Sequence, residues 1–241
     1  MAAPAAHLFQ TPGALFLYRD IRPATTYEPV VMDIYQRLWD HFGPQGWWPG
    51  ESTFETIVGA ILTQAVTWKN AEKAIRALKQ ARVFSVADLL AIPLEELGRI
   101  ITPALYHRQK ARKLVIMMEF IQHEYGGDYD LMFYESLEVL RPKILSLWGI
   151  GPETADSILL YAGNYPIFVV DAYTRRIFSR LGLVGQNVDY AAMQSFLQSN
   201  TPADAGLYNE YHALLVALGA RHCRKNRPDC AACPITFYCR H

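Results

Sequence analysis

The chain has 241 residues, which is long enough to bury a large core in one domain or in two smaller ones. About half of the residues (51%) are apolar and 19% are charged, so the composition is that of an ordinary globular protein. Its 23 basic residues balance its 23 acidic ones, which excludes a strong overall attraction for nucleic acid but allows a local basic patch.

The first 27 residues predict an extended arm, because they contain three prolines and few periodic apolar positions. They have neither the basic segment nor the sustained apolar segment of a signal peptide. No run of about 18 apolar residues occurs anywhere in the chain, so we expect no membrane span and no membrane partner. A cytoplasmic location is the default expectation.

Helical periodicity extends through almost all of the remaining chain, and strand-like alternation occurs nowhere at length. The two first helices are predicted from apolar stripes at Val31, Ile34, Tyr35, Leu38 and Phe42, and at Phe54, Ile57, Val58, Ile61 and Leu62. Further helices are predicted over 68–80, 93–101 (with Pro93 as a first helical residue), 107–125, 136–148, 153–162, 172–181, 189–198 and 204–219. The pattern indicates an all-α protein of about ten helices.

A glycine turn between two of these helices is the first candidate for binding. The stretch "LRPKILSLWGIGPETADSILLYAG" is typical of helix, tight turn and helix, and Gly149 and Gly151 allow positive φ and a close backbone approach. The second helix should begin near Pro152, leaving its first amide N–H groups free to bind an anion such as a DNA phosphate. By itself a Gly-x-Gly pair is also compatible with a plain helix–helix connection.

Asp171 closes the apolar run "IFVV" and precedes the helical "AYTRRIFSRLG". This position predicts a helix N-cap, which is a common role for aspartate. The dipole at a helix N-terminus also favours the ionised carboxylate, so a chemical role is compatible with the structural one.

All four cysteines lie between Cys223 and Cys239, and the preceding 222 residues contain none. A disulfide framework would spread its cysteines to close long loops, whereas four thiolates within 17 residues can enclose one soft metal site. The spacing alone leaves both zinc and an iron–sulfur cluster open. The same loop carries a local basic excess of Arg221, Arg224, Lys225 and Arg227 over Asp229, which favours contact with phosphate.

These motifs together resemble those of a known family. "LWGIGPETA" followed by "VVDAYTRRI" resembles the helix–hairpin–helix and Gly/Pro-Asp signature of the endonuclease III superfamily (HhH-GPD) of DNA glycosylases. "CRKNRPDCAACPITFYC" has the C-x6-C-x2-C-x5-C spacing of the 4Fe-4S loop of that superfamily, and "ILTQAVTW" and "LYHRQKARKL" are similar to segments of related enzymes. The resemblance covers about residues 30–241.

The resemblance implies an all-α, two-lobed fold with a 4Fe-4S cluster held by Cys223, Cys230, Cys233 and Cys239, with zinc as the less favoured alternative. We expect a six-helix lobe over 46–165 that contains the hairpin, and a cluster lobe formed by 28–45 and 166–241, after the arm at 1–27. The substrate pocket should lie in the cleft between them. The implied partner is double-stranded DNA with a damaged base, bound by a monomer in a prokaryotic, nucleoid-associated setting.

In this family the aspartate is catalytic, so Asp171 is the first candidate for that role. Breaking a base–sugar bond builds positive charge on the deoxyribose, which a carboxylate stabilises, and the carboxylate can also orient the attacking water. Members that also cut the strand carry a hairpin lysine immediately before the Thr-Ala, where this chain has Glu153. A carboxylate forms no Schiff base, so a monofunctional glycosylase is predicted; Lys143 and Lys110 are conceivable substitutes for the missing amine.

The identity of the base that is removed is predicted from a group of aromatic residues. A flipped base is held by stacking and edge contacts, and Trp47, Trp48 and Trp68 flank the helix of "GWWPGESTFETIVGAILTQAVTW". With Glu153 and Tyr173, they resemble the pocket of the 3-methyladenine glycosylases in the superfamily, although the relatives considered lack the iron–sulfur loop. N3-alkylated adenine is cationic, and aromatic faces attract a cation. Core packing is the alternative for each tryptophan.

Contacts with DNA are expected from the hairpin, from the cluster loop and from Gln64, which lies where relatives insert a residue into the gap left by the flipped base. The predicted DNA-binding residues are Gly149, Gly151, Thr154, Gln64, Arg224 and Lys225. The basic start of the helix at 107–113 is more typical of a solvated face.

The sequence thus predicts a monofunctional base-excision glycosylase for alkylated purines, 3-methyladenine above all. A mismatch uracil or thymine glycosylase, a bifunctional endonuclease III-type glycosylase and lyase, and a non-catalytic DNA-binding helix–hairpin–helix module are the alternatives.

Overall fold

The computed structural model describes residues 26–241, so the predicted arm at 1–27 lies almost entirely outside the described residues. Those residues form helices joined by turns and contain no β-strand, which confirms the all-α prediction. The helices are α1 (Glu28–Phe42), α2 (Thr53–Leu62), α3 (Trp68–Gln80), α4 (Val86–Ala91), α5 (Leu94–Ile100), α6 (His107–Tyr125), α7 (Tyr129–Met132), α8 (Leu137–Leu145), α9 (Pro152–Ser157), α10 (Ala172–Leu181), α11 (Tyr190–Ser199) and α12 (Ala205–Arg221).

Three details differ from the predicted helices. Pro93 is the N-cap of α5 and not its first helical residue. The helix predicted over 153–162 is α9 continued by a π-helical turn at Ile158–Ala162, a distortion that apolar periodicity does not reveal. α4 and α7 were not predicted, because six and four residues are too few to establish a period.

α2 is the central helix of the core. Every residue from Phe54 to Leu62 is buried, and the helix packs against α3, α6 and the π-helical turn. The π-helical turn also contacts α12, which in turn packs against α1 and α10. α1 is joined to the C-terminal half of the chain by a hydrogen bond of 2.7 Å from the Tyr211 hydroxyl to the Val31 carbonyl. No helix within 26–241 combines the length and apolarity that a membrane crossing requires.

A buried carboxylate ties the helices around the hairpin together. Asp156 in α9 is fully buried and accepts two hydrogen bonds from Arg141 of α8, at 2.7 and 3.0 Å. It also accepts from the Tyr190 hydroxyl at 2.8 Å and from Gln194 Nε2 at 2.7 Å, both in α11. Gln194 donates as well to the carbonyl of Phe168, in the extended run that leads to Asp171. The network thus sets where that run lies relative to the hairpin.

Candidate active site

Asp171 caps the N-terminus of α10, as predicted. Its Oδ1 accepts from the backbone N–H of Thr174 at 2.7 Å and from the Thr174 hydroxyl at 2.9 Å. The preceding residues, 167–170, are buried apolar side chains in an extended run, and Asp171 itself is only 9% exposed. The cap therefore fixes the direction of the carboxylate and leaves Oδ2 free of the helix.

Oδ2 of Asp171 faces a buried histidine that the sequence reasoning missed. His212 of α12 lies with its Nε2 at 3.7 Å from Oδ2, and its Nδ1 is hydrogen-bonded to the hydroxyl of Tyr161. Burial lowers the pKa of His212, although the Asp171 carboxylate opposes this shift. Burial, Asp171 and Glu210 together raise the pKa of Tyr161 well above its usual value, so the phenol stays protonated. The only sequence signal for this group is a histidine directly before the apolar run "ALLVALGA" of α12.

The glycine hairpin has the expected turn, with one correction. Gly149 has a φ of +80°, a conformation that favours glycine, and a Cβ there would also displace the Lys113 side chain, whose Cε would lie 2.5 Å away. Gly151 has a φ of −91° and a ψ of 175°, since it is the N-cap of α9, which needs extended backbone. Apart from its chain neighbours, no atom lies within 4 Å of a Cβ built on Gly151, so open space adjoins the start of α9.

Gln64, at the end of α2, is attached to this hairpin. Its Nε2 donates to the Thr154 hydroxyl at 2.8 Å and to the Gly149 carbonyl at 3.3 Å, while Lys113 Nζ donates to its Oε1 at 2.5 Å. Thr154 is buried with its hydroxyl engaged in this contact. The structure therefore brings three of the predicted DNA-binding residues together in one hydrogen-bonded group.

The three tryptophans also form one cluster. The ring centroids of Trp47, Trp48 and Trp68 are 5.1–5.6 Å apart with the rings edge to face, and Trp48 lies 5.1 Å from the ring of Tyr161. A Cβ on Gly59 of α2 would come within 3.1 Å of the Trp48 ring and 3.3 Å of the Trp68 ring, so glycine permits this approach. Through Tyr161, the aromatic cluster is adjacent to the His212–Asp171 pair.

Tyr173 does not join that cluster within the described contacts. Its ring packs on the backbone of α12 at Gly219, where an added Cβ would lie 2.2 Å from Cδ1. The guanidinium of Arg176 lies 5.0 Å from the centroid of the same ring. Tyr173 thus holds α10 against α12.

Glu153 lies at the surface at the start of α9, but protein atoms around its carboxyl displace much of its hydration. This desolvation, together with the Asp171 carboxylate, raises the pKa of Glu153 to about 7, and the guanidinium of Arg175 opposes the shift. The carboxyl is therefore close enough to Asp171 for the two charges to interact, and it changes protonation state near neutral pH.

Neither candidate lysine is free to replace a hairpin amine. Lys110 is buried, and its Nζ donates to the carbonyls of Leu62 and Ala104 at 2.8 and 2.6 Å, with burial lowering its pKa to about 8. Lys143 pairs with two carboxylates, Glu135 at 2.7 Å and Glu124 at 3.6 Å.

The four cysteines line one small cavity of about 70 Å³, with Arg180 among its other walls. Within residues 26–241 no three His, Cys, Asp or Glu side chains are grouped closely enough to hold a single metal ion. Burial raises the pKa of Cys233, and the neighbouring Cys223 and Cys239 add to this effect, so these thiols share one environment.

Arg180 of α10 also holds the cluster loop, donating to the carbonyls of Arg224 and Lys225 at 2.9 and 3.1 Å and to Cys223 Sγ at 3.3 Å. Both Arg224 and Lys225 are exposed, so their charges remain on the surface. The loop backbone is thereby fixed while its cationic side chains face solvent.

Comparison with known proteins shows the same architecture. The family profile described as "HhH-GPD superfamily base excision DNA repair protein" matches residues 58–203. A protein of Methanocaldococcus jannaschii, named as a candidate DNA repair glycosylase, is 41% identical over 211 residues, covering 87% of this chain and 96% of its own length.

Two solved structures share the fold. An endonuclease III trapped as a covalent intermediate with DNA has a TM-score of 0.76 at 22% identity, covering 88% of this chain and 95% of its own. A 3-methyladenine DNA glycosylase of H. pylori bound to 1,N6-ethenoadenine has a TM-score of 0.70 at 24% identity, covering 81% of this chain and 97% of its own.

Proposed function

Because the chain belongs to the HhH-GPD superfamily of base excision DNA repair proteins, we propose that it is a monofunctional DNA glycosylase. It hydrolyses the N-glycosidic bond of a damaged base flipped out of double-stranded DNA, and its substrates are alkylated purines such as 3-methyladenine. The observation that carries this proposal is the position of Asp171. Its carboxylate is held by an N-cap, next to the aromatic cluster of Trp47, Trp48 and Trp68 and close to Glu153.

The arrangement supports hydrolysis at the sugar. As the bond between the base and C1′ breaks, the electron pair leaves with the base and the deoxyribose becomes cationic. The Asp171 carboxylate stabilises that cation, and the helix dipole at the start of α10 favours its ionised form. A water molecule then attacks C1′ and its proton passes to the carboxylate, which acts as general base.

The residues around the site favour base removal without strand cleavage. A lyase reaction through a Schiff base needs an amine that can attack C1′, and Glu153 stands where bifunctional relatives have lysine. Lys110 is enclosed between two carbonyl groups, and Lys143 is paired with Glu135. Within residues 26–241, no lysine forms a hydrogen bond or an ion pair with Asp171.

The preference for alkylated purines rests on the aromatic cluster and on Glu153. The faces of the tryptophan rings attract a cationic base, and a carboxylate at Glu153 strengthens that preference once it is ionised. An alkylated, cationic purine also leaves readily, so the site needs no strong general acid. The hairpin and the loop carrying Arg224 and Lys225 would bind the flanking phosphates.

We further propose that Cys223, Cys230, Cys233 and Cys239 hold a 4Fe-4S cluster. The set of four thiols fits such a cluster, since each sulfur can bind one of its irons and all four face one cavity. Bound there, the cluster would supply rigidity to the loop that presents the basic side chains. Purified protein should contain about four irons per chain and little zinc; stoichiometric zinc without iron would overturn the assignment.

The division into lobes follows the same proposal. One lobe over 46–165 would carry the hairpin and the tryptophans, and the other, made of 28–45 and 166–241, would carry the cysteines. Asp171 then begins the second lobe and faces the first, as expected for a monomer that binds DNA across a cleft.

Base release is the direct test. The protein is incubated with DNA freshly methylated at adenine N3 and with duplexes containing hypoxanthine, uracil or an oxidised pyrimidine, and strand breaks are scored with and without alkali. Release of methylated adenine with alkali-dependent breaks is expected. Direct breaks with a borohydride-trapped adduct would contradict the monofunctional assignment, and preferential release of uracil would move the substrate to mismatched pyrimidines.

Asp171→Asn tests the catalytic assignment, with Asp189→Asn as its matched control. Both aspartates cap a helix through Oδ1, and Asp189 accepts from the backbone N–H of Ala192 at 2.7 Å. Asparagine caps a helix equally well, so both variants should fold. Asp171→Asn should lose base release while retaining DNA binding, and Asp189→Asn should keep both. Unchanged release by Asp171→Asn would refute the role.

A further inference from the structure

His212 is a buried histidine with a ring nitrogen that has no hydrogen-bond partner. The residue is 7% exposed, and its Nε2 lacks a partner among the described residues, although it lies only 3.7 Å from Asp171 Oδ2. Buried polar atoms are almost always satisfied, so an unpaired one aimed at a carboxylate requires a reason. The proposed function uses Asp171 but assigns nothing to His212.

The contact with Tyr161 determines which ring nitrogen of His212 carries the proton. Tyr161 keeps its proton because burial raises its pKa, so its hydroxyl donates to Nδ1 of His212. Nδ1 is then an acceptor, and the neutral ring carries its hydrogen on Nε2. The opposite tautomer would turn a lone pair toward the Asp171 carboxylate, which is electrostatically unfavourable.

The protonation state of His212 is set by burial and by the charged groups around the pair. Burial lowers the pKa of His212 more than the Asp171 carboxylate raises it, so the ring stays neutral. The titratable and charged groups that interact within this set come from four elements: Tyr161 in the π-helical turn, Glu153 in α9, Asp171 at the N-cap of α10 with Arg175 inside that helix, and Glu210 in α12. Three of them are carboxyl groups, so a neutral N–H donor is well suited to the position.

We propose that His212, oriented by Tyr161, is a positioning residue that holds the carboxylate of Asp171 directed at the reacting sugar. This inference rests on the proposed catalytic role of Asp171. Thr174 donates to Oδ1, and the Nε2–H of His212 faces Oδ2, so a neighbouring donor orients each oxygen of the carboxylate. A neutral donor stabilises the anion without adding a full positive charge, which would oppose the cationic transition state.

The tautomer can be observed without any activity assay. In the wild-type protein, ¹⁵N NMR of the imidazole should show a protonated Nε2 and an unprotonated, hydrogen-bonded Nδ1 for His212. Tyr161→Phe keeps the ring that contacts Trp48 but removes the hydroxyl, so the Nδ1 signal should move toward that of an imidazole without this bond. A protonated Nδ1 in the wild type would overturn the proposal.

Separate measurement of kcat and KM for base release tests the positioning role. The variants are His212→Leu, which lacks a donor, and His212→Gln, which retains an N–H near the Nε2 position, and both are measured on methylated DNA. His212→Leu should lower kcat about tenfold and leave KM nearly unchanged, because the carboxylate is less well directed while the contacts that bind DNA remain. His212→Gln should restore most of kcat.

The outcomes separate this inference from the proposed function. If the wild type releases no base, or if Asp171→Asn remains active, the proposed function fails. If both of those tests succeed but His212→Leu leaves kcat unchanged, His212 has only a packing role. A His212→Gln variant that melts at the wild-type temperature but has the low kcat of His212→Leu has the same meaning.

Discussion

Replacing Asp156 by asparagine tests whether the buried network behind the hairpin stabilises the fold. The carboxylate is fully buried and accepts four hydrogen bonds, two of them from the guanidinium of Arg141 at 2.7 and 3.0 Å. Asparagine keeps the volume but replaces one acceptor oxygen by a donor. Because Arg141 donates to both oxygens, the new donor would face Arg141 in either orientation, and in one of them also Tyr190 and Gln194.

The expected loss of stability follows from removing the charge of one partner of a buried ion pair. Removal of one partner leaves the other charge uncompensated and typically costs about 3–5 kcal/mol. Arg141 is partly exposed, with 28% of its side chain accessible, so water recovers some of its hydration and the lower end of that range applies. For a domain of this length about 1 kcal/mol lowers the melting temperature by roughly 3 °C, so a decrease of about 10 °C is expected.

Thermal and urea unfolding followed by circular dichroism measure this change, with Asp130→Asn as the control. Asp130 is exposed in the short helix α7 and forms no ion pair among the described residues, so the same chemical change there should cost less than about 0.5 kcal/mol. If Asp156→Asn unfolds within about 1 kcal/mol of the wild type, the network is not a main source of stability and the reasoning is refuted.

Gly219→Ala should destabilise the protein by about 1–3 kcal/mol in thermal unfolding, because the new Cβ would lie 2.2 Å from Cδ1 of Tyr173; an unchanged melting temperature would contradict that packing. Ser52→Ala should cost about 1 kcal/mol, since Oγ caps α2, whereas Thr67→Ala, at an N-cap position without a side-chain cap, should cost clearly less; equal losses would speak against the cap. The pKa of Glu153 is raised from its ordinary value of 4.5 to about 7 in the folded protein. Between these two values the carboxyl is protonated in the folded protein and ionised in the unfolded chain, so the free energy of unfolding should decrease as pH rises through that window. Glu153→Gln should flatten that decline. In the wild type, the ratio of release rates for cationic over neutral alkylated bases should rise across pH 7, and Glu153→Gln should flatten this rise too. A wild-type ratio independent of pH would refute the role of its charge.

The hairpin illustrates how far local reasoning reaches. The turn at Gly149, the start of α9 at Pro152 and the N-cap at Asp171 were each predicted from a few neighbouring residues, and the structure has all three. Such features depend on backbone conformation and on donors within one helical turn, so sequence neighbours contain the necessary information. The family resemblance has the same basis, because its motifs are short and contiguous.

The sequence by itself therefore determined the all-α class, most helices, the hairpin and the family of this protein. Only the tertiary structure decided that Tyr161 and His212 lie beside Asp171, that Gln64 is bonded to Thr154, and that Tyr173 packs on α12. His212 lies on a helix that begins more than thirty residues after Asp171, and no periodic pattern relates them. Contacts of this kind arise where side-chain volumes allow distant helices to approach, as at Gly59 and Gly219, and that information is distributed over the whole core.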